Sequence, residues 1–255
     1  VRINKYLASI GIASRRSVDE LVAAGKIKVN GKVISQGYKL NAGDVIEYQA
    51  KKYNYGEQPE LVYVALYKPQ GISSTCAEDD PDNIIDFLRV IARHVVPKQP
   101  QCFAKIDGLL RFTRNDEARL FPVGRLDKYS EGLIILTNDG ELTNILTHPS
   151  YEHEKEYQVE LKNDISNEFL QKFSAGIEIE LEDNTRVRTK PCKVQRLSAR
   201  KFKVILKQGL NRQIRRMADA LANPVSRLIR LRVAKLELGM LKPGEFKLVN
   251  YDDII

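Results

Sequence analysis

The chain has 255 residues, with 41 Lys or Arg against 33 Asp or Glu and a formal net charge of +8. That length is enough for one small and one larger folded unit, and the charge makes a polyanion the first partner to consider. Cys76, Cys102 and Cys192 lie far apart with no CxxC, which excludes a disulfide framework or a cysteine zinc site and fits a reducing cytoplasm.

The start, Val1-Arg2-Ile3-Asn4-Lys5, is no signal peptide, and its opening Val implies that an initiator Met is missing. No apolar run approaches membrane-spanning length, so no membrane partner is expected. Ile3, Leu7 and Ile10 recur at helical spacing. Ser14 caps a second predicted helix carrying Val18, Leu21 and Val22, and Gly25 closes it. Asn30-Gly31 between alternating apolar residues predicts a hairpin, and Gly43-Asp44 a further turn before Val45-Ile46. Residues 1–49 thus read as one module, with Arg2, Lys5, Arg15, Arg16, Lys28 and Lys32 among its cations. Arg15-Arg16 occupy a first helical turn, where the helix dipole disfavours cations. A placement that costs stability points to a phosphate partner; the alternative is a solvated charge pair. Residues 50–60 are polar and read as a linker, which would let the module hold a polyanion away from the rest of the chain.

Residues 61–66 predict a strand. Lys68-Pro69-Gln70-Gly71 and the hydroxyls of Ser73, Ser74 and Thr75 follow, and read alone they form an ordinary turn able to present donors to a phosphate or base. Asp79-Asp80-Pro81-Asp82 predicts a helix start, with Ile84, Phe87, Leu88, Ile91 and Val95 on the buried face. The acids read as capping, and no metal is expected. Residues 97–119 have no clear period and stand out as a possible insertion. The stretch from Gly124 to Leu142, GRLDKYSEGLIILTNDGEL, then places Asp127 on a tight loop two residues after Arg125. The run Leu133-Ile134-Ile135-Leu136 predicts a buried strand ended by the turn Asn138-Asp139-Gly140, a brace that would hold the carboxylate still.

Glu141 to Thr147 predicts a short helix ended by His148-Pro149, and Tyr157, Val159 and Leu161 alternate as in a strand. A Tyr there is, by itself, most often core. A helix from Ser166 to Phe173 is capped by Ser166 or Asp164 and closed near Gly176, with strands predicted over 177–181, 186–194 and 201–206. Residues 201–250 carry twelve Lys or Arg against three Asp or Glu. Within them, Gly209-Leu210-Asn211-Arg212-Gln213-Ile214-Arg215-Arg216-Met217 opens a helix that Asn223-Pro224 ends. Arg227, Arg230 and Arg232 line a strand expected to face the polyanionic partner. His94, His148 and His153 are scattered and suggest no triad or ligand set.

Four of these motifs together resemble the RsuA family of RNA pseudouridine synthases. They are GRLD with S-E-G-L and T-N-D-G, the K-P-x-G turn with its hydroxyls, the K-x-Y-x-V strand, and G-x-N-R-Q-I-R-R-M. The first module resembles the S4 RNA-binding domain, through its Ser-Arg-Arg helix start and Val-Asn-Gly-Lys hairpin. The resemblance implies an α+β fold: a small S4 domain over 1–49, a linker over 50–60, and a catalytic domain over 61–255 built on a mainly antiparallel mixed sheet flanked by helices. It implies isomerisation of uridine to pseudouridine, with Asp127 as nucleophile, Tyr157 stacking on the target base, Arg215 paired with Asp127, and Arg125 beside them. RNA contacts are expected from Arg2, Lys5, Arg15, Arg16, Lys28, Lys32, Lys68, Asn211, Arg212, Arg216 and Arg230. Gly-Leu-Asn-Arg is similar to the RluF-like branch, so 23S rRNA is the expected substrate, as a stem-loop or a pre-ribosomal particle. The chain is expected to act as a cytoplasmic monomer, with no cofactor and no dinucleotide fingerprint to hold one. A single carboxylate of this kind argues against a glycoside hydrolase, which needs two. The alternatives are a synthase acting on 16S rRNA or tRNA, and a non-catalytic RNA-binding ribosome-assembly factor.

Overall fold

The structure, a computed structural model, describes residues 1–56, 60–77, 79–94 and 120–255. The stretch 97–119, read as a possible insertion, lies outside them. The chain divides into two units, one of Val1–Val62 with Ala92–Phe121 and Thr137–Gly140, the other of Tyr63–Ile91, Pro122–Leu136 and Glu141–Ile255.

The first unit is the α+β module read from the sequence. Helices Ile3–Ser9 and Arg15–Ala23 bury Ile3, Tyr6, Leu7, Val18 and Val22 against Ile27 and Ile46. Ser14 caps the second helix, its Oγ accepting from the Ser17 amide at 3.1 Å. Strands β1 (Lys28–Val29) and β2 (Lys32–Val33) meet at Asn30-Gly31, both at positive φ as a two-residue hairpin turn requires. The Asn30 side chain also donates to Asp44 at 2.9 Å and accepts from the Val45 amide, which fastens the hairpin to β3 (Val45–Tyr48). Part of the stretch read as a linker is instead strand β4 (Lys51–Asn54), which pairs with β3 in an antiparallel sheet of order β2-β1-β3-β4. Its Lys-Lys-Tyr-Asn composition reads as polar coil because an edge strand needs only one paired side. Tyr6 Oη reaches back to the Asn54 carbonyl at 2.8 Å, tying the strand to the first helix.

Among the described residues the second unit carries a nine-stranded sheet. Its path includes β5 (Tyr63–Lys68), β7 (Glu131–Thr137), β8 (Lys155–Leu161), β11 (Lys193–Arg196), β12 (Lys201–Leu206), β13 (Val225–Val233) and β15 (Phe246–Val249). The order is β11-β12-β8-β13-β7-β5-β15, with the short β6 (Phe121–Pro122) on β7 and β14 (Leu236–Glu237) on β13. The β11–β12, β12–β8, β8–β13 and β15–β5 pairs are antiparallel, and the β7–β13 pair is parallel. Every residue of β7 is buried, as a central strand demands.

Helices Asn167–Ala175 and Gln213–Ala220 share one core with β8, β12 and β13. Phe169, Phe173, Ile214 and Met217 meet Val159, Phe202 and Val204 there, with edge-to-face contacts of Phe202 to Phe169 and Phe173. Helix Gly140–Thr147 joins a second core through Leu142 and Leu146, with Leu133, Ile135 and Ile229. Ser166, not Asp164, caps the helix it opens, its Oγ accepting from Phe169 N at 2.9 Å.

Two local readings change. The strand predicted over 186–194 is two strands, β10 (Arg186–Arg188), which pairs with β9 (Glu178–Glu180), and β11. The break falls where Gly176 approaches Thr189 so closely that a Cβ would lie 2.3 Å from its carbonyl oxygen. Helix Ile84–His94 is capped by Asn83, whose Oδ1 accepts from Ile85 N and Asp86 N at 3.1 and 2.9 Å; Asp79, Asp80 and Asp82 precede it.

Candidate active site

Asp127 stands half-buried on the loop that leads into β7. The loop is a tight turn, closed by Ser130 N donating to the Asp127 carbonyl at 2.9 Å. Four further attachments hold its backbone. Ser74 Oγ donates to the Leu126 carbonyl at 2.7 Å and accepts from the Leu126 amide at 3.1 Å. Gly71 N donates to the Lys128 carbonyl at 2.8 Å. Arg215 Nη2 donates to the Tyr129 carbonyl at 2.9 Å and to Ser130 Oγ at 3.3 Å. Arg230 Nη1 donates to the Arg125 carbonyl at 3.2 Å, while its Nε donates to Leu133 O at 2.7 Å. A loop so held loses little entropy when a reaction begins. The hydroxyls after the K-P-x-G turn were read as donors for a phosphate or base; Ser74 spends its hydroxyl on this loop.

Lys68, expected to contact RNA, is fully buried. Its Nζ donates to the carbonyls of Pro69, Ile72 and Lys128 at 2.9, 2.8 and 3.3 Å, so it staples the K-P-x-G turn to the loop of Asp127. Burial, and then the Arg230 guanidinium, push its ammonium down to about 8 against the pull of Asp127 and Glu131. Arg230 is likewise only 2% exposed, which corrects the expectation that it faces RNA. Its neighbours on that strand are also engaged: Arg227 with Glu131 at 2.6 Å, and Arg232 with Glu154 and Glu156 at 3.0 and 3.3 Å. Each of these cations has acceptors of its own, and only Arg230 is fully buried among them. Lys68→Met should cost about 2–4 kcal/mol by leaving the Pro69 and Ile72 carbonyls without their donor; chemical denaturation of the two proteins measures it.

The sheet sets these groups in register. Arg230 is paired with Gly132 on β7 and with Tyr157 on β8, so Tyr157, Arg230 and Gly132 form one row next to the loop of Asp127. Tyr157 is half-buried against the core of β8 and β12. Arg215 comes into electrostatic range of Asp127 without forming a direct ion pair among those present within 4.0 Å. Burial, and then Arg212, lower the Arg215 pKa, and the charges of Asp127 and Asp219 oppose them. Arg125 and Arg212 are exposed. Arg216 is bound to the protein, donating to the Asn211 and Glu180 carbonyls at 3.2 and 2.7 Å; Asn211 Oδ1 accepts from it at 3.4 Å. Arg2, Lys5, Arg15, Arg16, Lys28 and Lys32 are all exposed on the first unit.

Sequence reasoning missed two parts of this centre. Lys155 opens β8, and its pKa is lowered by burial and then by Arg230. Glu131 is buried at the start of β7 and accepts from Arg227, Tyr67 Oη and Gln70, at 2.6, 3.0 and 3.3 Å. Burial would raise the Glu131 pKa, but the bonds from Arg227 and Tyr67 outweigh it and hold it low. Burial and then Glu131 raise the Tyr67 phenol to about 12. An acid at the head of an all-apolar strand was the available signal, since such a charge must find a partner. The centre therefore sets Lys68 and Arg215 in electrostatic range of Asp127, with Arg230 beside Lys68 and Lys155 beside Arg230. Nε of Arg215 and Nη2 of Arg230 are buried without a partner among the described residues.

The chain matches the family described as RNA pseudouridylate synthase over residues 62–220 and the S4 domain over residues 1–46. It is 36% identical over 255 residues to the dual-specificity RNA pseudouridine synthase RluF of Escherichia coli (strain K12), covering 100% of this chain and 77% of that protein. It is 38% identical over 252 residues to the ribosomal large subunit pseudouridine synthase B of Bacillus subtilis (strain 168), covering 96% and 90%. A crystal structure of a pseudouridylate synthase superposes with a TM-score of 0.63 at 25% identity, over 99% of this chain and 97% of that one.

Proposed function

The chain belongs to the RNA pseudouridylate synthase family, with an S4 domain at its start, and from that membership we propose that it converts a specific uridine of 23S rRNA to pseudouridine, with Asp127 as the nucleophile on a flipped-out base. The observation that carries the reading is the pinned loop that sets the Asp127 carboxylate in electrostatic range of the buried Lys68 ammonium and the Arg215 guanidinium.

The reaction breaks the N1–C1′ bond of uridine, turns the base and rejoins it through C5. The base must first leave its stack, and the uracil that departs carries negative charge. Asp127 supplies the carboxylate at the ribose, and Tyr157, in register with Arg230, holds the turned base. Arg215 and Arg230 each keep one unpartnered donor for substrate oxygen, and the surplus of buried positive charge stabilises the uracil as it separates. No redox or group-transfer step arises. The choice of ribosomal RNA draws support from the name of the Bacillus subtilis relative, ribosomal large subunit pseudouridine synthase B.

The test is a map of pseudouridine in 23S rRNA, 16S rRNA and tRNA from cells lacking the gene, after incubation with the protein. A position in 23S rRNA that gains pseudouridine supports the reading. Gain only in 16S rRNA or tRNA would move the substrate, and no gain despite tight binding would favour an assembly factor. The exposed cations of the first unit are proposed to hold RNA through its phosphates. Arg15→Ala with Arg16→Ala should therefore weaken binding and lower the slope of log affinity against log salt by about two. The single-turnover rate at saturating enzyme should stay unchanged; a large loss there would contradict this division of labour.

A further inference from the structure

Tyr129 has 64% of its surface exposed, more than any other tyrosine among the described residues. It sits two residues after Asp127, on a turn whose backbone has no freedom to withdraw the ring. Arg215 holds the Tyr129 carbonyl at 2.9 Å, and the next amide, of Ser130, closes the turn on Asp127. On the other side Lys128 is anchored through its carbonyl to Gly71 and Lys68, and through Nζ to Asp82 at 2.7 Å. The Asp82 hydrogen bond, with Asp80 and Tyr129 nearby, holds the Lys128 ammonium above the ordinary lysine range. Arg125 is exposed on the same loop, and Arg212 is exposed within electrostatic range of Arg215. A rigidly presented aromatic ring among exposed cations is the surface that single-stranded RNA uses, the ring for a base and the cations for its backbone. Two residues of chain span at most about 7 Å, the scale of one nucleotide step. When a uridine is turned out toward Asp127, the base beside it loses its stacking partner.

We propose that Tyr129 is a stacking platform for the unpaired base adjacent to the target uridine. The proposal rests on the reading of Asp127 as the reacting carboxylate. It makes Tyr129 a positioning residue, which acts on substrate binding and register and leaves bond breaking to the groups around Asp127.

The full chain, Tyr129→Phe and Tyr129→Ala are titrated onto an RNA hairpin with 2-aminopurine next to a loop uridine, and in parallel reacted with transcribed 23S and 16S rRNA. The exposed ring packs on little, so equal thermal unfolding of the three proteins serves as the folding control. The wild type and Tyr129→Phe should quench the 2-aminopurine, and Tyr129→Ala should not. Tyr129→Ala should raise the rRNA concentration for half-maximal single-turnover rate by about tenfold, with the maximal rate kept. No quenching by the wild type, or equal quenching by Tyr129→Ala, overturns the proposal. Loss of the maximal rate with unchanged half-saturation also overturns it. If the wild type modifies neither rRNA, the functional reading falls on that arm alone, and the quenching arm still decides whether Tyr129 stacks.

Discussion

Asp127→Asn is expected to lower the single-turnover rate of pseudouridine formation at saturating enzyme by at least about ten-thousandfold, the scale of loss when a nucleophile is removed. The change is nearly isosteric, and the loop does not depend on the carboxylate for its shape. It is held through backbone groups: the Asp127 carbonyl by Ser130 N, the Lys128 carbonyl by Gly71 N and Lys68, and the Tyr129 carbonyl by Arg215. Folding stability should therefore move by less than about 1 kcal/mol, and RNA affinity by only a few-fold. The surrounding cations would persist without their counter-charge, so binding of the polyanion should not fall. Rapid-quench assays on the modified position, with binding measured on the same RNA, separate the two quantities. A rate within tenfold of wild type would remove Asp127 from the role of nucleophile.

The second large effect is on folding. Gly132→Ala should destabilise the protein by about 3–5 kcal/mol, a size reserved for backbone strain combined with steric overlap. Gly132 has φ +108, and a Cβ there would lie 2.4 Å from the carbonyl oxygen of Arg230 and 2.6 Å from its nitrogen. The contact is backbone on backbone at the parallel β7–β13 pairing, so no side chain can turn aside to relieve it. The two strands would have to part where Arg230 also holds the Leu133 and Arg125 carbonyls. Any variant that still folds should consequently lose activity as well. Gly71→Ala is the control: φ is +89 but nothing lies within 4 Å, so only the conformational penalty of about 1 kcal/mol applies. Urea unfolding of the three proteins ranks them, and equal midpoints for Gly132→Ala and Gly71→Ala would refute the overlap.

The two results test different layers, and those layers differed in how far they could be read in advance. The local layer was legible. Ser14 and Ser166 cap the helices assigned to them, Asn30-Gly31 turns its hairpin, and Leu133 to Leu136 lie in a wholly buried strand. Each depends on residues a few positions apart, where caps, turns and periodicity act. The errors of local reading share one cause. Strand β4 was taken for a linker, and the single strand over 186–194 proved to be two, because pairing at an edge and a close glycine approach are set by partners distant in the chain.

By itself, then, the sequence determined the motif-bearing loop with Asp127, the helix caps and the hairpin turn of the first unit, and a basic balance suited to RNA. Only the tertiary structure decided what each cation does. Lys68, Arg230 and Arg232 look alike in the sequence to the exposed Arg15, Arg125 and Arg212, yet the first three are spent within the protein. Arg230 reaches a carbonyl 105 residues away and Arg215 one 86 residues away. A side chain's formal charge is a local property, whereas its burial and its acceptors arise only once distant strands meet. The buried cations follow from that meeting, because carbonyls and a carboxylate removed from water must be supplied with donors.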